Sequence, residues 1–168
     1  MSLMPTIIEL LARARVDLRM GLPVVLSDGK SAALAIAVES LTETRLADMR
    51  ALGALTLALT ARRAETLKAR VYDADTARII VPGTEGLKWI QSLADPADDL
   101  NTPMKGPLSS QRGGSADLHR LAIALVKAAR LLPAAALVPI SDPSGFAAAH
   151  GLTSISRAAA EPLLSQSS

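Results

Sequence analysis

Apolar residues at Ile7, Ile8, Leu10, Leu11, Ala14 and Leu18 recur at helical spacing, while Glu9, Arg13, Arg15 and Asp17 fall off that stripe. The pattern predicts a helix over residues 6–20, with Gly21 just past its end and Pro23 barring continuation. A short β-branched run over residues 22–26 then predicts a strand, Asp28-Gly29 a turn, and residues 34–38 the partner strand. The next helix opens either at a Ser40-x-x-Glu43 capping box or at Thr42, with Leu46, Met49, Arg50 and Gly53 in its later turns. A weakly alternating strand over 55–59 follows, and Thr60 caps a short basic helix over 61–68. One or two strands are expected within 71–81, ending at Pro82-Gly83, and then a helix over 86–93 stopped by Asp95-Pro96.

Residues 94–114 are punctuated by Pro and Gly and form the least ordered stretch by composition. The long helix after them is expected to run from about Ala116 to Leu131. It starts near Ser115 or Asp117 and carries Leu118, Leu121, Ala122, Leu125, Ala129 and Leu132 on one face. A buried strand over 134–140, a short helix over 146–150 closed by Gly151 and a last strand over 153–155 complete the chain. Residues 1–3 read as an expression scar ahead of Met4, and residues 165–168 as a frayed tail. Strands and helices mix without a regular strand–helix–strand rhythm. The expected class is therefore α+β (mixed α/β): a single domain spanning residues 1–168, its sheet surrounded by helices, with 24–26, 55–59 and 137–140 as interior strands.

At 168 residues the chain fits one domain with one buried core, and 49% hydrophobic against 20% charged residues is a globular balance. One Trp, one Tyr and one Phe leave the core to Ala, Leu, Ile and Val, and leave too few rings to stack nucleic-acid bases. The net charge of +2 comes from basic and acidic residues spread along the chain, not from a basic patch. With no cysteine there is neither a disulfide framework nor a thiolate metal site, which fits a cytoplasmic protein. No apolar run reaches the ~18 residues that span a bilayer, so no membrane partner is expected.

Five segments, in order, carry a resemblance. Gly21-Leu-Pro-Val-Val-Leu leads into the loop Ser27-Asp28-Gly29-Lys30-Ser31 and on to Ala37-Val-Glu-Ser-Leu-Thr-Glu43. Leu57-Ala-Leu-Thr-Ala-Arg-Arg-Ala64, Leu93-Ala-Asp-Pro96, the run from Leu125 to Pro133 with Ala134 and Ala135, and Phe146-Ala-x-x-His150-Gly-Leu152 with Ile155 follow. Together they resemble 3,4-dihydroxy-2-butanone-4-phosphate synthase, a riboflavin-pathway enzyme acting on ribulose 5-phosphate. The resemblance implies a synthase-like sheet, a homodimer and, in an active member, a magnesium site with acidic acid/base residues.

The departures fall where that chemistry would sit. The family's acidic loop is reduced to the single carboxylate Asp28, and Glu85-Gly86 stands where the family has Asp-Arg. The family's Gly-His-Thr-Glu motif falls on Asp117-Leu118-His119-Arg120 in one register and on Gly113-Gly114-Ser115-Ala116 in another, and neither keeps both His and Glu. No catalytic residue and no metal ligand is therefore assigned. The chain resembles the degenerate synthase-like segment found at the N-terminus of some bacterial GTP cyclohydrolase II proteins. It is not similar to the cyclohydrolase module itself, whose zinc has three cysteine ligands.

The remaining polar candidates are ligand-binding ones. Asp28 is either the surviving acid of the loop or, more commonly for Asp-Gly, a turn residue. Lys30 is a candidate phosphate contact or a solvated loop lysine. Arg112, beside Gly113-Gly114 and Ser115, is placed to hold an anion at the start of the long helix. His119 is a candidate ligand, although Asp117, two positions earlier, would not face it on a helix. Arg62, Arg63, Lys68 and Arg70 read as a solvated basic face, and His150 as a basic residue at a helix end.

The resulting expectation is a riboflavin-associated, catalytically degenerate domain without cofactor. It would serve as an accessory or dimerising part of a GTP cyclohydrolase II protein. The alternatives are an active magnesium-dependent synthase and a sugar-phosphate sensor. The dimer contact is expected from the long helix and the loop over residues 101–114.

Overall fold

The computed structural model describes residues 2–100 and 105–165; residues 101–104 of the expected loop and 166–168 of the expected tail lie outside it. Helix α1 (Ile7–Arg19) opens on Thr6, whose hydroxyl accepts the Glu9 backbone N–H at 3.2 Å, while the Glu9 carboxylate accepts the Thr6 N–H at 2.9 Å. Leu11, Ala14 and Leu18 are its buried face. Gly21 ends it with φ +80°, donating to the Leu18 carbonyl while Leu22 reaches back to Asp17.

Strands β1 (Val24–Ser27) and β2 (Ala32–Ala37) form a hairpin in which Ser27 pairs with Ala32. The second strand starts two residues earlier than its alanine-rich pattern suggested, because Asp28 closes the turn within four residues and Ala32 and Ala33 enter the ladder. Thr42, not Ser40, caps α2 (Glu43–Leu52), accepting from Arg45 N. Ser40 instead donates to the Leu18 carbonyl at 2.6 Å and fastens this turn to the end of α1.

Strand β3 (Thr56–Thr60) runs directly into α3 (Ala61–Thr66), with Thr60 as the cap. Within the expected stretch 71–81 one strand forms, β4 (Thr76–Ile80), preceded by an isolated bridge at Asp73. Helix α4 (Leu87–Ala94) leads through a single 3-10 turn to the loop before α5 (Asp117–Ala128). Helix α5 stops three residues short of the expected Leu131, where Arg130 turns left-handed at φ +62°. Strand β5 (Ala134–Ile140), α6 (Pro143–His150) and β6 (Ser154–Ser156) follow. A helix the pattern did not announce, α7 (Arg157–Ser165), comes last. Its apolar positions Ala160, Leu163 and Leu164 pack inward, but Pro162 stands among them and reads as a break in the sequence; an Arg157–Glu161 ion pair spans one of its turns at 3.0 Å.

The six strands make one mixed sheet in the order β4-β3-β5-β2-β1-β6, antiparallel except for β1 with β6. The expected interior strands are interior. Pro139 is tolerated in β5 because β3 ends its pairing at Thr56↔Leu137, before the proline is reached. One face of the sheet, with Val25, Leu34, Ile36, Leu57 and Ile79, is covered by α2, α3, α4 and α6. The other, with Ala33, Ala35, Ala37, Ala58 and Ala135, takes α1, α5 and α7. Alanines on this second face let α5 lie close to the sheet, burying Leu118, Leu121, Leu125 and Val126. One expectation fails locally: Arg63 is not solvated but binds Asp99 at 2.8 Å and the Leu93 carbonyl at 2.7 Å, clamping α3 to α4. No helix among the described residues is long and apolar enough to cross a membrane.

A Cβ added at Gly21 would lie 2.8 Å from the Ser40 carbonyl oxygen, whereas one added at Gly29, also left-handed at φ +88°, would meet open space. Gly29→Ala should therefore lose only the backbone preference, ~1–2 kcal/mol. Gly21→Ala should lose ~2–4 kcal/mol because Ser40 must also move. Urea denaturation compares the two, and equal losses would contradict the close packing at Ser40.

Candidate functional site

The hairpin tip, the start of α5 and the start of α7 meet at one end of the sheet. At the tip, Asp28 Oδ1 accepts the backbone N–H of Ser31 at 2.7 Å and of Lys30 at 2.9 Å, and the Ser31 hydroxyl at 3.2 Å. These bonds, the Ser31 N–H foremost, hold its carboxyl below the usual range, and the Arg157 charge adds to the effect. Asp28 is thus engaged in its own turn. Lys30 contributes its backbone N–H there and is otherwise exposed.

Asp117, in the first turn of α5, accepts from Arg120 at 3.2 Å and lies 3.5 Å from Arg157. Arg157 also binds Glu161, and Arg120 binds Asp75 at 2.8 Å and the Asp73 carbonyl at 3.0 Å. Between α5 and α7 these side chains border a cleft of about 220 Å³ with Leu121, Ala124 and Leu164 on its walls. Its charges alternate in sign and largely cancel.

Behind the cleft, Arg78 is 1% exposed in the middle of β4. It binds Asp73 through Nε at 2.9 Å and through a terminal nitrogen at 3.2 Å, and donates to the carbonyls of Arg112, Gly113, Gly114 and Ser115. This fixes the loop ahead of α5. The Ser115 hydroxyl accepts the Asp117 N–H at 3.1 Å, while the Arg112 guanidinium lies over the Tyr72 ring at 4.9 Å.

His119 points inward. Its Nε2 lies 2.7 Å from the Thr56 hydroxyl. Burial, with the neighbouring Arg78 charge as a second cause, pushes its pKa from 6.5 down to about 4, although Asp73 opposes the shift.

Of the sequence candidates, Asp28 and Ser115 lie at this end of the sheet. Asp28 is linked to the α5 start through Arg157. His119 is turned into the interior, Arg112 is laid on Tyr72, and Lys30, at the hairpin tip, brings only its backbone N–H to Asp28. Sequence reasoning missed Arg78, Asp73, Arg120 and Arg157. The available signals were an arginine inside the apolar run Thr76–Ile80 and the four-residue spacing of Arg157 and Glu161.

No family model and no curated protein matches the chain, but solved structures do. A 3,4-dihydroxy-2-butanone 4-phosphate synthase of Candida albicans superposes with TM-score 0.68 at 18% identity, over 92% of this chain and 96% of that one. A synthase in complex with two magnesium ions gives TM-score 0.61 at 18% identity, over 92% and 94%. A two-domain synthase from A. baumannii gives 0.66 at 20% identity, covering 92% of this chain and 56% of that one. The chain has the synthase fold.

The residues at this end of the synthase fold do not fit magnesium. That ion requires near-octahedral oxygen ligation, usually with one or two carboxylates aimed at it. Among the described residues no three His, Asp or Glu side chains gather to hold a metal. Asp117 meets two arginines, and Asp28 is turned into its own hairpin.

The lowered pKa of His119 has a consequence for acid stability. Between pH ~4 and ~6.5 the unfolded chain binds a proton on this residue that the folded chain refuses, so stability rises with pH across that window and falls on acidification. Asp28 and Asp75, both held below 3.8, add their losses only below it. Lowering pH from 7 to 4.5 should cost on the order of 2 kcal/mol at this site. His119→Gln, which keeps a partner for Thr56, should flatten the dependence. Urea midpoints measured across the range check both, and an unchanged slope in the variant would contradict the assignment.

Proposed function

We propose that this chain is a synthase-fold domain of riboflavin biosynthesis that has lost synthase chemistry and acts as an accessory, dimerising part of a GTP cyclohydrolase II protein. The observation that supports this reading best is the fate of the hairpin carboxylate. Asp28 accepts the Lys30 and Ser31 N–H groups, and among the described residues it belongs to no cluster of His, Asp or Glu that could hold a metal. Formation of dihydroxybutanone phosphate starts by removing a proton beside the ribulose carbonyl, with the enediolate charge stabilised by metal. A positioned base is worth ~10²–10⁴ in rate. Among the described residues the carboxylates at this end, Asp28 and Asp117, are engaged by N–H groups and arginines, and the nearby arginines are paired with carboxylates, which supports the absence of both roles.

The fused setting is supported by the A. baumannii protein, a two-domain chain of which this one matches 56%. The riboflavin reading carries a cytoplasmic location with it. Dimerisation is part of the proposal, but α5 cannot supply most of the contact, because the sheet, α1 and α7 cover its apolar face within the chain. The described part of the adjoining loop, residues 105–114, remains largely at the surface and is the available portion of the expected interface.

Purified protein supplied with Mg²⁺ and ribulose 5-phosphate should release no formate above the uncatalysed background; turnover at an ordinary enzymatic rate would sink the degenerate reading. Light scattering at micromolar concentration should give twice the 17.5 kDa chain mass, and a monomer mass would remove dimerisation from the proposal.

A further inference from the structure

The face of the sheet opposite α5 carries a second concavity. Helix α2 packs on β5 and α6 on β1, leaving between them a groove of about 510 Å³ with Leu34 of β2 as part of its floor. Met49 and Leu52 form the α2 wall and Phe146 the α6 wall, with Leu52 44% exposed at the rim. This volume is in the range of small-molecule sites, which are typically ~300–1,000 Å³ and mainly apolar. The Phe146 and His150 rings pack 4.4 Å apart, tilted by 35°, and give the α6 wall its aromatic surface.

The charges at the rim are unlike those of the α5–α7 cleft. There every arginine has a carboxylate. Here Arg45 is half-buried, and among the described residues its guanidinium makes neither hydrogen bond nor ion pair. Asp48, one turn further along α2, is equally unpaired, and no ion pair joins the two. Arg45 is thus a cation at the groove rim whose donors have no acceptor among the described residues. Its planar fork matches a carboxylate through two parallel hydrogen bonds. The Asp48 charge beside it penalises a second negative charge on the same ligand.

We propose that the α2–α6 groove is a binding site for a small monocarboxylate with a flat apolar body. The body lies between Met49, Leu52 and the Phe146–His150 pair, and the carboxylate meets Arg45. Asp48 disfavours dianions, so sugar phosphates are poor ligands here. The site is separate from the hairpin end of the sheet, and the proposal stands whether or not the chain has synthase activity.

Methyl-detected NMR titration of the intact chain tests it with three probes: 2-naphthoate, the neutral 2-naphthalenemethanol and the dianionic 1-naphthyl phosphate. Saturating shifts are expected at the Leu34, Met49 and Leu152 methyls with 2-naphthoate, at least tenfold tighter than with either other probe. Arg45→Met should weaken 2-naphthoate about tenfold and leave the alcohol unchanged, since a guanidinium–carboxylate pair is worth roughly one to two kcal/mol in a half-exposed setting. Leu52→Glu, a rim substitution that sets a carboxylate at the mouth, should weaken 2-naphthoate as well. Absence of saturating shifts at millimolar 2-naphthoate, or equal affinity in wild type and Arg45→Met, would overturn the proposal. So would shifts of the same methyls with protein concentration alone, which would mean that a second copy covers the groove.

Discussion

Arg78 is a full positive charge in the middle of a strand, at 1% exposure. A charge so buried is tolerated only inside a closed set of acceptors. Asp73 closes the set from the turn before β4, and the carbonyls of residues 112–115 close it from the loop before α5. Satisfying one guanidinium therefore fixes two segments almost forty residues apart and sets where α5 begins. Ser115, Asp117, His119 and Arg120 take their positions from that starting point. The low proton affinity of His119 has the same origin in part, since the guanidinium that orders the loop also repels a second cation.

The hairpin end of the sheet is held by protein charges. Asp117 lies between Arg120 and Arg157, Asp75 pairs with Arg120, and Asp28 is satisfied by its own turn. A carboxylate committed in this way is a poor base and a poor metal ligand, because both roles require lone pairs that are free and a charge that is not already compensated. On the proposed reading, the architecture of a synthase and its chemistry are separable. Backbone pairing and apolar burial carry the first; a handful of uncommitted carboxylates would be needed for the second.

How much of this was legible in the sequence depended on range. The stripe of α1, the Thr60 cap, the buried run of β5 and the α5 face containing Leu118, Leu121 and Leu125 are local patterns, and each appeared close to where it was expected. Thr42 against Ser40 was undecided locally because Ser40 is used by Leu18, 22 residues away. The Arg120–Asp75 pair spans 45 positions and that of Arg63 with Asp99 spans 36, so neither leaves a periodic trace. Helix α7 escaped because Pro162 falls among its few apolar positions, Ala160, Leu163 and Leu164, and the helix rests on α5 and β6, which lie far apart in sequence. Sequence did mark the hairpin as poor in carboxylates; it did not reveal that arginines would neutralise Asp117.

The strand order also constrains the order of events during synthesis. Strand β5 lies between β3 and β2, so it is the one element that joins the β1–β2 hairpin to the β3–β4 pair. It is also among the last strands to be translated, beginning at Ala134. Until it leaves the ribosome, the nascent chain holds two separate antiparallel pairs, with the inward edges of β2 and β3 open. Helix α5 has by then been made, with an apolar face and only half a sheet to cover. The sheet closes in one late step, and a ribosome that stalls before residue 140 holds a chain with two unpaired strand edges, the form most exposed to pairing with a neighbour.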